Sequence, residues 1–271
     1  MGALPFFSLA DAALHGVWSA DALGAAAAGV VPTGHAALDA ELPGSGWPLG
    51  VLIELLQAAP AATVWPLLLP ALAHRARSGT VVLVNPPHAP YAPALAAAGV
   101  PAQRLLWLAA DTPAAQAWAS EQALRCQDVA AVAAWLPRVR VAELRRLQQA
   151  AAQTGALLFV LRPERGADAA TPARVRLRVG RPAPSGPRLK LVDTRADEGA
   201  MPGPVPPLRI DLLKRRGPPL ATPLWLPACS EAVGAVLRAA WGQGRLPGGV
   251  VPIHGGKEGG HALAGTALVA A

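Results

Sequence analysis

Apolar residues fall into short continuous runs, and amphipathic stretches separate them. Val51–Leu56, Thr80–Val84, Arg104–Leu108, Val129–Trp135 and Ala156–Leu161 are such runs, bounded by turn residues, and each reads as a buried strand. Between them, Val64–Arg77, Tyr91–Ala98, Pro113–Arg125 and Val139–Gln153 are helical in pattern, the third opening on proline. The fourth sets Val141, Leu144, Gln148 and Ala151 on one side and Glu143, Arg145 and Arg146 elsewhere, with Gly155 closing it. Strands that are apolar on both sides, alternating with helices, predict an α/β fold. Its mostly parallel central sheet is expected to be covered by helices on both faces.

After Arg162 the rhythm changes. The segment Arg174-Val175-Arg176-Leu177-Arg178-Val179 alternates with period two, basic on one side and apolar on the other. Arg188–Val192 and Leu208–Leu213 follow the same pattern, and turn residues separate all three. This predicts antiparallel strands with one wet, basic face. Four regions follow: a leader at 1–31 (a short helix over Ser8–Trp18, then a linker at Gly24–Gly29), a core at 32–165, a basic antiparallel extension at 166–228 and a flexible tail at 229–271.

Composition narrows the picture. The chain of 271 residues is 52% apolar and 15% charged, which excludes a wholly disordered protein. Two isolated cysteines, Cys126 and Cys229, exclude a disulfide scaffold. The net charge of +7 is uneven: residues 1–150 carry 8 basic and 9 acidic side chains, whereas residues 151–271 carry 16 and 8. That asymmetry suggests a polyanion or an acidic partner for the second half. The first basic residue is Arg75, so no secretory signal is expected. Val51 to Ala73 holds one charge, Glu54, but Pro60, Pro66 and Pro70 break any membrane span there. A cytoplasmic location is expected.

Candidate chemistry is sparse. The six histidines are scattered without ligand spacing, so no metal is expected. Gly44-Ser45-Gly46 precedes a strand rather than following one, which rules out a nucleophile elbow. The loop after the first strand, Gln57 to Val64, stands where a phosphate loop would be. It contains neither glycine nor lysine, and Pro60 removes a backbone donor. No cofactor and no catalytic residue is expected at this degenerate loop. Trp47, Trp65, Trp107, Trp118, Trp135 and Trp225 sit beside apolar runs or turns, as core or interface fillers.

The run TGHAALDAELPGSGWPLGVLIELL resembles the start of the ATPase core of RecA-family recombinases, and the likeness extends over about residues 31–165. It implies a RecA-like core with a degenerate phosphate loop. The phosphate-loop lysine position falls on Thr63, preceded by Ala62 in place of glycine. The catalytic glutamate position falls near Pro87, and the Walker B aspartate around Ala133 or Ala134. The chain is not expected to be an enzyme. The front motif, Ala134-Trp135-Leu136-Pro137 and LLKRRGPPL (Leu212–Leu220) are similar to the ImuA family, SulA/RecA-related proteins of bacterial damage-inducible mutagenesis cassettes. That resemblance implies an accessory factor of translesion synthesis under SOS control. Its implied partners are an ImuB-like inactive Y-family polymerase homologue and an error-prone C-family polymerase; by analogy with RecA-family cores the leader is a candidate partner-binding segment, and self-association is a further expectation. The alternatives are a SulA-type division inhibitor that binds the tubulin-like division protein, or a residual ATPase.

Two basic clusters are candidate contacts to DNA or to an acidic partner: Arg174, Arg176 and Arg178 on one strand face, and Lys214, Arg215 and Arg216 near the end of another. An ordinary solvated face is the alternative for both. Any DNA contact is expected to be sequence-independent and salt-sensitive. The degenerate loop predicts that calorimetric titration with Mg-ATP gives no micromolar binding; a saturable micromolar isotherm would overturn that expectation.

Overall fold

A run of small residues forms the third strand from one edge of the main sheet. Strand Val129–Trp135 is alanine at four of its seven positions, and six of the seven are buried. Small side chains there leave room for larger neighbours. Ala133 lies opposite Phe159 on the next strand, whose ring meets Trp47 edge-on at 5.2 Å.

The computed structural model describes residues 29–58, 64–166, 169–180, 207–215, 217, 220, 222–227, 233–236 and 239. In chain order the elements are β1 (Val30–Val31), α1 (Ala36–Asp39), β2 (Trp47–Pro48), β3 (Leu52–Gln57), α2 (Trp65–Ala76), β4 (Thr80–Val84), α3 (Ala92–Ala97) and β5 (Leu105–Leu108). There follow α4 (Pro113–Arg125), β6 (Val129–Trp135), α5 (Val141–Thr154), β7 (Leu157–Pro163), β8 (Val175–Gly180), β9 (Leu208–Lys214) and β10 (Leu224–Leu226). The eight-stranded sheet runs in the order β10-β9-β8-β3-β7-β6-β4-β5. The neighbours from β8 through β5 pair in parallel, and β9 and β10 pair antiparallel. The fold is α/β with a mixed, mostly parallel sheet.

Each face has its own core. On one, Ile53, Leu55, Phe159 and Leu161 pack with Leu67, Leu68 and Leu72 of α2 and Leu95 of α3. On the other, Leu52, Val132, Leu158 and Val160 pack with Leu124 of α4 and Leu144 and Leu147 of α5. The helices that follow β3 and β4 therefore cover one face, and those that follow β5 and β6 cover the opposite one. Gln148 serves as a strap on the second face. Its amide oxygen accepts from the Leu52 N–H at 2.7 Å, and its amide nitrogen donates to the Gly50 carbonyl at 3.2 Å.

Two expectations need correction. The basic strand β8 does not lie in a purely antiparallel extension: it pairs parallel to β3 on one side and antiparallel to β9 on the other. Its apolar residues complete the β3 face, and burying them favours insertion beside β3 over a place in a separate layer. Val233 is buried in the first core, so the tail assigned to 229–271 contains a packed residue near its start. Ser8–Trp18, Gly24–Gly29 apart from its last residue, Arg188–Val192 and Gly242–Ala271 lie outside the described residues.

A two-stranded sheet of β1 and β2 was not legible in the sequence. It joins the end of the leader to the glycine-rich turn. Gly46 is required there, because a Cβ would lie 2.5 Å from the Val31 carbonyl oxygen. Among the described residues, no helix is long and apolar enough to cross a membrane.

Helix α5 starts at Arg140, whose backbone N–H donates to Glu143 Oε2 at 2.8 Å while its guanidinium meets Oε1 at 2.6 Å. The guanidinium's hydrogen bond, first among the causes, holds the Glu143 carboxyl below the usual carboxylate range. Glu143→Ala is expected to cost about 1 kcal/mol of stability at pH 7, the usual scale of a lost cap. Because the folded carboxyl titrates low, the full benefit is present above about pH 4.3, the ordinary glutamate value. It fades as pH falls through the lower folded value. Urea unfolding of both proteins at neutral pH and near pH 3 checks this: the gap should narrow in acid.

Candidate functional site

The TGHAALD segment folds by satisfying its own backbone. The Thr33 N–H donates to Asp39 Oδ1 at 2.9 Å, and the Thr33 hydroxyl accepts from the His35 N–H at 3.1 Å. The His35 ring Nε2 lies 3.1 Å from the Pro66 carbonyl oxygen, tying this turn to the start of α2. Leu38 between them is fully buried. The motif thus has a structural role.

Glu54, at the centre of β3, is completely buried. Arg162 Nη1 of β7 lies 2.5 Å from its Oε1, and Arg176 Nε of β8 lies 2.7 Å from its Oε2. Strand register places these charges together. Glu54 is directly opposite Arg176 on β8 and Val160 on β7, with Arg162 two residues further along the same face. Next along β8, Arg178 Nε lies 2.7 Å from Glu164 Oε1.

These contacts correct the reading of Arg174, Arg176 and Arg178 as one wet basic stripe. Arg176 is buried against Glu54, Arg178 is half-buried against Glu164, and Arg174 is exposed. With β3 as its neighbour, the polar side of β8 faces interior and half-buried carboxylates instead of water. The second cluster also divides. Arg215 Nη1 lies 2.9 Å from Glu41 Oε2 and donates to the Glu41 carbonyl at 2.5 Å, while Lys214 is exposed. Arg216 lies outside the described residues. The tryptophans split as well: Trp47 and Trp135 are buried, whereas Trp107, Trp118 and Trp225 are each about half exposed.

At the carboxyl-terminal ends of β3, β4, β6 and β7 there is a cavity of about 460 Å³. It lies where helices leave the sheet toward opposite faces, the usual ligand position in parallel α/β sheets. Gln57, Asn85, Pro86, Pro87, Gln116, Trp135, Pro137, Arg162, Pro163 and Arg165 contribute to its wall. Asn85 adopts a positive φ of 49°. Its side-chain amide donates to the Ala110 carbonyl at 2.8 Å and accepts from the Ala110 N–H at 2.9 Å. Of the positions that the RecA resemblance assigns to a phosphate loop, Gln57 lines the cavity, and Pro60, Ala62 and Thr63 lie outside the described residues. Pro87 is on the rim, and Ala133 and Ala134 are buried within β6 below it. Sequence reading missed Trp135, Arg162 and Arg165 as a group. The only signal was that each ends or follows a buried strand.

Among the described residues, no group of three or more His, Cys, Asp or Glu side chains is placed to hold a metal ion.

No family model matches the chain, and no curated protein matches it. Among solved structures, the crystal structure of SulA from Pseudomonas aeruginosa is similar, with 28% sequence identity and a TM-score of 0.36. The overlap covers 41% of this chain and 97% of that one.

The Glu54 cluster makes a sharp stability prediction. Glu54→Gln leaves two guanidiniums facing a neutral amide and is expected to cost about 3 kcal/mol, the scale of a broken buried pair. Equilibrium urea unfolding measures it. A loss under about 0.5 kcal/mol, the size of an ordinary surface substitution, would show that the cluster contributes little.

Proposed function

We propose that this chain is a non-catalytic, RecA-like accessory protein of damage-induced mutagenic translesion synthesis. In this reading it holds together an ImuB-like inactive Y-family polymerase homologue and an error-prone C-family polymerase. The observation that carries the reading is the identity of the residues at the positions where a RecA-type ATPase needs charged groups. A RecA-type ATPase requires a lysine on the terminal phosphates, a glutamate beside the attacking water and an aspartate on the magnesium side. The corresponding positions here are Thr63, Pro87 and Ala133 or Ala134. A hydroxyl, a pyrrolidine ring and a methyl group cannot supply a cation, a base or a metal ligand.

The rim supports the same conclusion. Pro86, Pro87, Pro137 and Pro163 have no backbone N–H, and phosphate cradles depend on several such donors converging. A fold kept without its phosphate chemistry still offers surfaces, and a scaffold uses surfaces. The family assignment rests on the resemblance of residues 33–56 and 212–220 to ImuA proteins.

Affinity purification of the tagged full-length chain from damage-treated cells tests the proposal. Both polymerase components are expected to co-purify, with or without added ATP. Recovery of the tubulin-like division protein in their absence would replace this reading with the division-inhibitor one.

A further inference from the structure

The cavity at the strand ends contains an unmet set of hydrogen-bonding groups. Gln57 is 4% exposed and Trp135 is 5% exposed. Among the described residues, neither Gln57 Oε1 nor Trp135 Nε1 has a hydrogen-bond partner. Arg162 commits its Nη1 to Glu54, yet its Nε–H also lacks one. All three residues line the same space, and the exposed Arg165 lines it too. Buried polar atoms without partners cost roughly 1–3 kcal/mol each, so their grouping around one cavity marks a place where a ligand supplies the missing bonds.

Their chemistry defines that ligand. Gln57 Oε1 accepts, so it calls for an N–H. Trp135 Nε1–H donates, so it calls for a carbonyl. An acceptor and a donor side by side match the two edges of an amide. The Arg162 Nε–H and the Arg165 guanidinium add positive donors that match a carboxylate. The remaining wall is Ala58, Leu161, the prolines 86, 87, 137 and 163, and the amides Asn85 and Gln116, which bond to the Ala110 backbone. Those prolines argue against a phosphate, which needs several backbone N–H groups, while a single carboxylate is served by guanidinium donors alone. The volume is that of a small-ligand or short-peptide site rather than a folded surface.

We infer that this cavity binds a short acidic peptide segment of a partner protein. Its carboxylate side chain faces Arg165 and Arg162, and its backbone amide spans Gln57 and Trp135. This rests on the scaffold reading and supplies the chemistry by which the scaffold would hold a partner.

The test uses the full-length chain with 15N-labelled tryptophan. The Trp135 indole N–H signal, assigned by its loss in Trp135→Phe, is followed by NMR. The probe is aspartate capped as N-acetyl and N-methylamide, so that it carries one carboxylate between two amides. The Trp135 signal is expected to move and saturate. Capped asparagine is expected to bind about tenfold more weakly, as a lost charge-assisted bond implies. Arg165→Ala should weaken capped aspartate by a similar factor, and Arg165→Lys should recover part of the loss. Arg165 is exposed, so these variants leave the core intact. A Trp135 signal that stays still, equal binding of capped asparagine, or tighter binding of AMP or inorganic phosphate would each overturn the inference. Because the titration uses this chain alone, its failure is distinguishable from failure to recover polymerase components.

Discussion

A carboxylate with no access to water sits in the middle strand of this protein, and the arrangement around it follows from that burial. Glu54 is buried between β7 and β8, with Arg162 and Arg176 on its two oxygens. An isolated carboxylate in that environment would carry a large desolvation cost, so the strands on both sides must bring cations to it. One cation comes from the strand that ends the βα alternation, the other from the strand that begins the basic region. The ion cluster thereby fastens the two halves of the chain into one sheet.

The same joint decides the character of the second half. A strand with arginine at every other position would lie naturally at a solvated sheet surface. Here β8 is inserted beside β3, so its apolar residues extend the first core and both of its arginines meet carboxylates. Basic character that looked available for a polyanion is partly consumed in holding the fold. Above the cluster, the strand ends open into a cavity whose wall is amide, indole, guanidinium and proline. Arg162 belongs to both places: one of its nitrogens holds Glu54, and the residue is part of the cavity wall. Site and scaffold are therefore coupled through a single side chain.

Much of the architecture was legible because parallel strands buried on both faces leave a simple record. Thr80–Val84, Pro113–Arg125 and Val129–Trp135 match their expected limits, and the other strands and helices of the alternation shift by one or two residues at one end or both. Gln148 was grouped with Val141, Leu144 and Ala151 on one side of its helix, and it bonds to Gly50 and Leu52 at the sheet. The small β1–β2 sheet escaped notice because two-residue strands have no periodicity. The candidate site was less legible. Gln57 could be picked out by position. Trp135, Arg162 and Arg165 come from different strand ends and connections, and no local spacing links them.

By itself the sequence determined the alternation of strands and helices, and the lack of glycine and lysine in the loop after the first of those strands. Both are local properties, carried by hydrophobic period and residue identity. Only the tertiary structure decided that β8 runs parallel to β3, that Arg176 is buried, and that Gln57, Trp135 and Arg162 line one cavity. Those outcomes depend on strand order and register, which join residues more than a hundred positions apart. The pairing of Glu54 with Arg162 spans 108 positions, and neither residue's neighbours announce the other. Burial of a charge selects its partner in space, and that selection exists only once the sheet has formed.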